Sequence, residues 1–462
     1  MPEATATPTG EPKLGRQLGL ASATAFVAGE CIAVGIFLTP AGMAKSLGSP
    51  FWLLVVWLVV GAMTLSGALC YGELAGRFPR SGGTYVYLQE IFGRRIAFLY
   101  GWMCLLVLDP GLTAALATGV AGYAAYIFPW SALGIKIVAM AVIGSLCLLN
   151  ILSVRLSAGF LRWITWLKLG ALGFLVVWAV VFRLGSAANF VPFVAQRHGS
   201  LPLAPALAVA MVGAFFSFGG WWEVTKIAGE VRNPARTLPY ALVLGVLAVT
   251  LVYILVSAVF VYLIPIERVA SDETFVAQAG AVLFGPLGGI AFAAIVVVCV
   301  LGSLAAFIMS APRVYYAMAE DGLFVRAVAR IHPRFRTPAL AIAIQGVIAS
   351  ILVSLGSFQQ IISYFIFAAV AFLGLTVAGL FVLRSRIEGF EQDSHSVILT
   401  PGYPLTPLAF VTLVVLLLGL LLMRSPREAL LGTSVVLAGV PVYSLLGRRA
   451  ELVSQRNYDR EA

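Results

Sequence analysis

Apolar residues fall into twelve long blocks along the chain, separated by short polar stretches. The blocks lie at 18–44, 51–75, 95–127, 133–152, 160–183, 205–228, 238–264, 287–318, 338–355, 360–384, 405–423 and 428–447. A helix needs about 20 apolar residues to cross the hydrocarbon core of a bilayer, and each block is close to or above that length. The pattern predicts an all-α polytopic membrane protein with about twelve transmembrane helices. An even number of spans puts both chain ends on one side.

Two blocks are poor continuous helices. One holds Phe215-Phe216-Ser217-Phe218-Gly219-Gly220-Trp221-Trp222-Glu223, where each glycine costs about 1 kcal/mol relative to alanine in a helix interior. The other holds Gly29-Glu30-Cys31-Ile32-Ala33-Val34-Gly35-Ile36-Phe37. A broken helix in hydrocarbon leaves N–H and C=O groups without partners, at several kcal/mol each, unless protein, water or solute satisfies them. Matched interruptions in two halves of a chain mark a transporter's substrate site. The breaks are about 185 residues apart, which fits a five-helix unit repeated with inverted topology. On this division residues 18–183 form the first repeat and 205–386 the second. Residues 405–447 add two helices, and 1–17 and 448–462 are tails.

Composition sharpens the class. The chain has 462 residues, 61% hydrophobic and 11% charged, against about 25% charged in soluble domains. The net charge of +10 could suggest nucleic acid, but its distribution points elsewhere. The loops on the side of the tails hold about 20 Lys and Arg and the opposite loops about 6. By the positive-inside rule both termini are cytoplasmic, so no nucleic-acid partner is expected. Cys31, Cys70, Cys104, Cys147 and Cys299 all lie in apolar blocks without a CxxC, and His198, His332 and His395 are scattered among loops. Neither a metal site nor a cofactor is expected, and no nucleophile–base pair suggests an enzyme. Residues 1–17 lack a signal-peptide core.

The candidate chemistry gathers at the breaks. A helix restarting near Gly35 would aim free N–H groups and the positive end of its dipole into the first gap, which suits a carboxylate. Carbonyls of Phe216, Ser217 and Gly219 would face the same gap and suit an ammonium group. Together they match an α-amino acid; packing notches between helices are the plainer alternative. Glu30 sits in the first break, where it could contact a cationic group, pair with Lys168 or cap exposed N–H groups. Lys168 is at mid-membrane depth in its block, an expensive position; a lysine snorkelling to the helix end is the plainer alternative, and proton coupling is a further role open to it. Asp109 precedes Pro110 in the third block, as a proton or cation ligand or as a cap on a kink. Glu223 and Lys226 are expected to pair with each other. Glu73 is expected in an inner gate network with basic loop residues such as Arg80. Arg313, with Tyr315 and Tyr316, reads as a gating or anchoring group, and Ser363, Tyr364, Phe365 and Phe367 give the tenth block a weak pathway signal. Trp222 reads best as lipid-facing.

Three ordered stretches carry a family resemblance. They are YGELAGRFPRSGGTYVYLQEIFGRRIAFLYGW (Tyr71–Trp102), FFSFGGWWEVTKIAGEVRNPARTLP (Phe215–Pro239) and GSLAAFIMSAPRVYYAMAEDGLFVRAVARIHPRFRTP (Gly302–Pro338). With them the chain resembles the amino acid–polyamine–organocation transporters, and within those the L-type and cationic amino acid transporter branch. The resemblance implies a LeuT-like fold of two inverted five-helix repeats plus two C-terminal helices. At the first break the family pattern is close to GxxIGxGIF. Gly29, Gly35, Ile36 and Phe37 match it, while Ala33 and Val34 depart from it. The departure removes a side-chain hydroxyl, and Val34 narrows the approach. The resemblance also implies that Phe216 is a lid over the substrate. It places Lys168 where a second sodium ion sits in sodium-coupled relatives, so that its ammonium would tie the fifth span to the broken first span.

The expected function is sodium-independent secondary transport of amino acids by alternating access, as an exchanger or a proton-coupled carrier, for neutral or a broad range of amino acids. Cationic amino acids or polyamines are the alternative substrates, and a non-transporting sensor on the same fold is the alternative class. L-type members often join a glycoprotein through a cysteine in the loop after the third span. Residues 127–133 contain none, so no disulfide-linked heavy chain is expected. Short loops suggest a bacterial inner membrane.

Overall fold

The first apolar block divides into α1 (Leu20–Cys31) and α2 (Gly35–Leu47), and Ile32 and Ala33 after α1 are not helical. In this computed structural model the described residues are 16, 18–33, 35–152, 154–268, 275–356, 358–386, 397–424 and 426–461. Val34 lies outside them. Ile32 ends α1 with φ −76° and ψ 66°, and its N–H closes the last turn onto Ala28 O.

The following elements are α3 (Pro50–Arg77), α4 (Thr84–Phe92), α5 (Arg94–Met103), α6 (Asp109–Ile127), α7 (Ala132–Leu152) and α8 (Val154–Val181). Ser49 caps α3 by accepting from Trp52 N–H at 3.4 Å, with Pro50 at the first helical position. Between α5 and α6 the chain makes a π-helical stretch, Cys104–Leu108, directly before Asp109 and Pro110. A proline cannot donate to the preceding turn and its ring crowds it, and a widened turn relieves both.

The sixth block divides as the first does. Helix α9 (Leu203–Phe218) stops at Gly219, and Gly220 takes φ +102°, which L side chains rarely adopt. A 3₁₀ stretch, Glu223–Glu230, carries the chain onward. Then come α10 (Pro234–Leu263), α11 (Phe275–Ser310), α12 (Pro312–Glu320), α13 (Ala339–Leu355), α14 (Phe358–Arg386), α15 (Leu405–Arg424) and α16 (Pro426–Glu461). Among the described residues the only strand-like pairing is an isolated bridge of Leu18 with Val231.

Nine helical stretches among the described residues are long and apolar enough to cross a membrane, and Leu20–Cys31, Ala339–Leu355 and Ala429–Leu445 are shorter apolar helices. These account for all twelve apolar blocks. Outward-facing Leu148, Trp166, Val177 and Leu255 are exposed, as expected where lipid is the solvent.

Two features differ from the block pattern. Residues 84–92, expected as loop, form α4, too short and too polar at its flanks to read as a span. Its buried Tyr85 donates to Asp321 Oδ2 at 3.0 Å. The eighth block begins earlier than its apolar run, because α11 starts at Phe275 and turns at Gly285 (φ +71°).

The breaks sit at the centre of the bundle. Helix α1 packs on α10 and α8, α2 on α9, α3 on α10, and α11 on α6 and α8. An aromatic cluster backs the second break. Tyr253 is 5.1 Å from both Trp57 and Phe218, and Trp221 is 4.9 Å from Tyr71, ring centre to ring centre.

Candidate functional site at the two helix breaks

The breaks touch each other. A β-carbon on Gly35 would lie 2.6 Å from Ser217 Cα, so α2 can meet α9 at this point only through a glycine. Ser217 Oγ donates to Gly213 O at 2.9 Å, which leaves Thr39 Oγ1 to donate to it at 2.7 Å. Tyr253 of α10 joins the breaks from behind, with its hydroxyl 2.6 Å from Cys31 O and 2.7 Å from Ser217 O. Cys31 Sγ donates to Phe218 O at 3.4 Å.

Lys168 is fully buried and completes the first break from the α8 side. Its ammonium donates to Gly29 O at 2.9 Å, Ile32 O at 3.0 Å and Ser303 Oγ of α11 at 2.5 Å. Ser303 in turn donates to Gly29 O at 2.7 Å. An ammonium has three donors, and all three are used on carbonyls and a hydroxyl. The last carbonyls of a helix have no intrahelical partner, and here a lysine supplies one.

A cavity of about 60 Å³ opens between the breaks, α6 and α14. That is room for about four to six waters, comparable to the few heavy atoms of a small amino acid. Glu30, Ala33 and Gly35 line it from the first break, and Phe216, Ser217 and Gly219 from the second. Leu108, Leu112 and Leu116 form one apolar wall, and Ile366 and Ala369 of α14 another.

Several expectations change here. Trp222 does not face lipid: it is buried, lines the cavity and meets Trp221 edge to face at 5.5 Å. The carbonyls of the second break are not all free, since Ser217 O takes the Tyr253 hydroxyl and Phe216 O accepts from Gly219 N at 3.0 Å. Glu30 forms no ion pair with Lys168, whose donors are committed elsewhere, and its Oε1 has no hydrogen-bond partner.

Asp109 stands away from the cavity lining in a buried cluster. Lys226 Nζ lies 3.2 Å from Asp109 Oδ1 and 2.9 Å from Glu223 Oε1. Tyr315 donates to Asp109 Oδ2 at 2.8 Å and Ser310 to Glu223 Oε2 at 2.8 Å. The Glu223–Lys226 pair therefore exists, with Asp109 as a third member that spacing along the chain could not bring in.

Glu73 is also remote from the cavity. It accepts from Arg384 at 3.2 and 2.5 Å and from Thr400 N at 2.8 Å, with Arg77 3.6 Å away. Arg80 is not its partner: that side chain is half-exposed and pairs with Asp321 at 3.2 Å and Glu90 at 3.6 Å. Arg313 is buried and donates to Glu230 at 3.2 Å and to Met309 O.

Sequence reasoning passed over Tyr253, Ser303 and Thr39. Ser303 lies in the third matched stretch. Tyr253 carries a hydroxyl deep in an apolar block, where a buried phenol needs a partner, and that was the available signal. The side chains of Ser363, Tyr364 and Phe365 are outside the described residues. Among the described residues no group of three His, Cys, Asp or Glu could hold a metal ion.

With this geometry in place, comparison with known proteins gives the family. Residues 18–445 match the amino acid permease family, and the chain belongs to it. It is 29% identical to the serine/threonine exchanger SteT of Bacillus subtilis over 441 residues, 94% of this chain and 98% of that protein. It is 29% identical to the human cystine/glutamate transporter over 449 residues, 95% and 87% of the two chains. It is 30% identical to the human large neutral amino acids transporter small subunit 2 over 441 residues, 94% and 80% of the two. The chain is a multi-pass membrane protein of a family that transports amino acids, and not an enzyme.

Proposed function

We propose that this protein is a sodium-independent exchanger of neutral amino acids working by alternating access. The observation that carries the reading is the Lys168 ammonium held by Gly29 O, Ile32 O and Ser303. A fixed cation already satisfies the carbonyls at the end of α1, and it stands where the resemblance implies a sodium ion in sodium-coupled relatives. The substrate carboxylate would sit against the free N–H groups at the start of α2, and the side chain against the apolar walls. Leu108, Leu112, Ile366 and Ala369 favour small neutral side chains, and Phe216 would act as the lid. Exchange is supported by the relative named a serine/threonine exchanger.

The same reading divides the chain into inverted repeats at 18–183 and 205–386 and places both termini in the cytoplasm of a bacterial cell. It also includes no disulfide-linked heavy chain, because residues 127–133 lack a cysteine; a mixed disulfide on a non-reducing gel would contradict this. A second reading, cationic amino acids or polyamines, is favoured by one observation, the unpartnered Glu30 oxygen.

Counterflow in proteoliposomes separates the two. Each amino acid and a few polyamines are loaded inside, and uptake of a labelled trace of the same compound is followed. Accumulation with small neutral amino acids is expected. Accumulation only with cationic compounds would replace the first reading by the second, and accumulation with none would contradict both.

A further inference from the structure

Five carboxyl and ammonium side chains are buried around the two breaks: Glu30, Asp109, Lys168, Glu223 and Lys226. Two are ammonium groups and three are carboxylates, and the ion-pair contacts join Lys226 to two of the carboxylates. Lys226 bridges Asp109 and Glu223, which also accept from Tyr315 and Ser310. Lys168 spends its donors on Gly29 O, Ile32 O and Ser303. Glu30 is left, 4% exposed, with Oε1 unpartnered and on the cavity wall.

A desolvated carboxylate cannot stay charged and alone, since burying an unpaired charge costs far more than a missing hydrogen bond. Its surroundings offer no rescue. Lys168 on α8 and Glu223 and Lys226 on the 3₁₀ stretch are bonded to other groups. Asp109 on α6 is held by Lys226, and Tyr253 on α10 has its one hydroxyl proton shared between two carbonyls. The faces from α9 and α14 bring Phe215, Phe216, Ile366 and Ala369. Gly220 closes the remaining side, since a β-carbon there would lie 3.0 Å from Glu30 Cβ. The cavity is unfilled space beside Glu30.

We propose that Glu30 is the cation-exchange point of the transport cycle: it holds a proton when the cavity is empty and gives that proton up to bind the ammonium group of an arriving substrate. On binding, the Glu30 O–H bond breaks and the proton leaves to the water on the open side. The carboxylate then accepts an N–H hydrogen bond from the substrate ammonium, so charge and atoms balance. Gly29 O and Ile32 O already accept from Lys168, Ser217 O from Tyr253 and Phe216 O from Gly219 N–H, while Glu30 Oε1 on the cavity wall has no partner. Each binding event releases one proton. If the empty carrier reorients, a proton crosses opposite to the substrate.

The proposal rests on the cavity being the substrate site, and its test can fail separately from that reading. Infrared difference spectra of purified protein, wild type and Glu30→Gln, report a carboxylic-acid C=O band directly and need no substrate. The substrate-free wild type is expected to show a band at neutral pH that is lost as pH rises and is absent from Glu30→Gln. Adding L-alanine, L-lysine or putrescine, whichever the liposomes accumulate, should bleach that band, with one proton released per molecule bound. L-lactate, which lacks the amine, should not bleach it. Bleaching by alanine assigns an α-ammonium to Glu30, and bleaching by lysine or putrescine alone assigns a side-chain amine. A band missing from the wild type, a band in Glu30→Gln unchanged from that of the wild type, or proton uptake on binding would overturn the proposal. If no probe accumulates, the transport reading fails, and the band by itself decides whether Glu30 holds a proton. Should Glu30→Gln not fold, Glu30→Asp must shift the band, and the wild-type proton count stands alone.

Discussion

Gly35 and Ser217, 182 positions apart in the chain, are the point where the two broken spans touch: a β-carbon on Gly35 would stand 2.6 Å from Ser217 Cα. The contact joins the start of α2 to the last turn of α9, on the edge of the cavity both of them line. Adding one methyl group must push the breaks apart, and overpacking of this kind costs about 1–3 kcal/mol. Gly35→Ala is expected to lower the initial rate of counterflow by about tenfold, as about 1.4 kcal/mol implies. A wild-type rate would mean that the close approach is not used in transport.

Tyr253 makes the same junction from behind. Tyr253→Phe keeps the ring and removes the hydroxyl shared by Cys31 O and Ser217 O; Cys31 O keeps Ala33 N–H at 2.7 Å, and Ser217 O loses its Tyr253 donor. An unsatisfied buried acceptor costs about 1–3 kcal/mol. The detergent-solubilised variant should unfold at a lower temperature than wild type, while the Phe218 and Trp57 ring contacts persist. An unchanged melting curve would show that Ser217 O finds another donor.

The Asp109–Lys226–Glu223 cluster predicts an order among variants rather than a single loss. Asp109→Asn leaves Lys226 paired with Glu223, one charge against one. Lys226→Met strands two buried carboxylates, and breaking a buried pair costs about 3–5 kcal/mol. Lys226→Met is expected to be the less stable variant by thermal unfolding, and adding Asp109→Asn to it should recover part of the loss. Equal destabilisation by the two single changes would contradict the assignment of Lys226 as the shared cation.

Glu73 ties the end of α3 to Arg384 of α14 and to Thr400 N–H, and Tyr403 lies 4.0 Å under the Arg384 guanidinium. Glu73→Ala and Arg384→Ala should each destabilise by about 3 kcal/mol. The double variant should cost clearly less than their sum, because each change already removes the other's partner. Additive losses in a double-mutant cycle would show the pair to be uncoupled.

The apolar blocks carried most of the fold, because a bilayer demands about 20 apolar residues per span and nothing subtler is needed to find them. Glycines marked the breaks for the same reason: Gly35 and Gly219-Gly220 are costly in a helix and had to be there for something else. Partner choice was not legible. Glu73 was expected beside Arg80 because both lie near the same loop, yet Arg384, 311 positions away, reaches it. Asp109 meets Lys226 across 117 positions, a relationship that no spacing encodes. Trp222 was misplaced because an aromatic residue in an apolar block suits lipid and interior equally; only the turn at Gly220 points it into the cavity. The short helix α4 escaped notice because its flanks are polar, and an apolar-block search does not see it.

The most direct test of the account is exchange in proteoliposomes with sodium on both sides or with choline in its place, for wild type and Lys168→Ala. If the Lys168 ammonium serves as the built-in cation, the wild-type rate is the same in both media, and Lys168→Ala loses exchange while the protein still inserts and runs as a single species. A wild-type rate that falls when sodium is removed, or a Lys168→Ala variant that exchanges at the wild-type rate in choline, would contradict it.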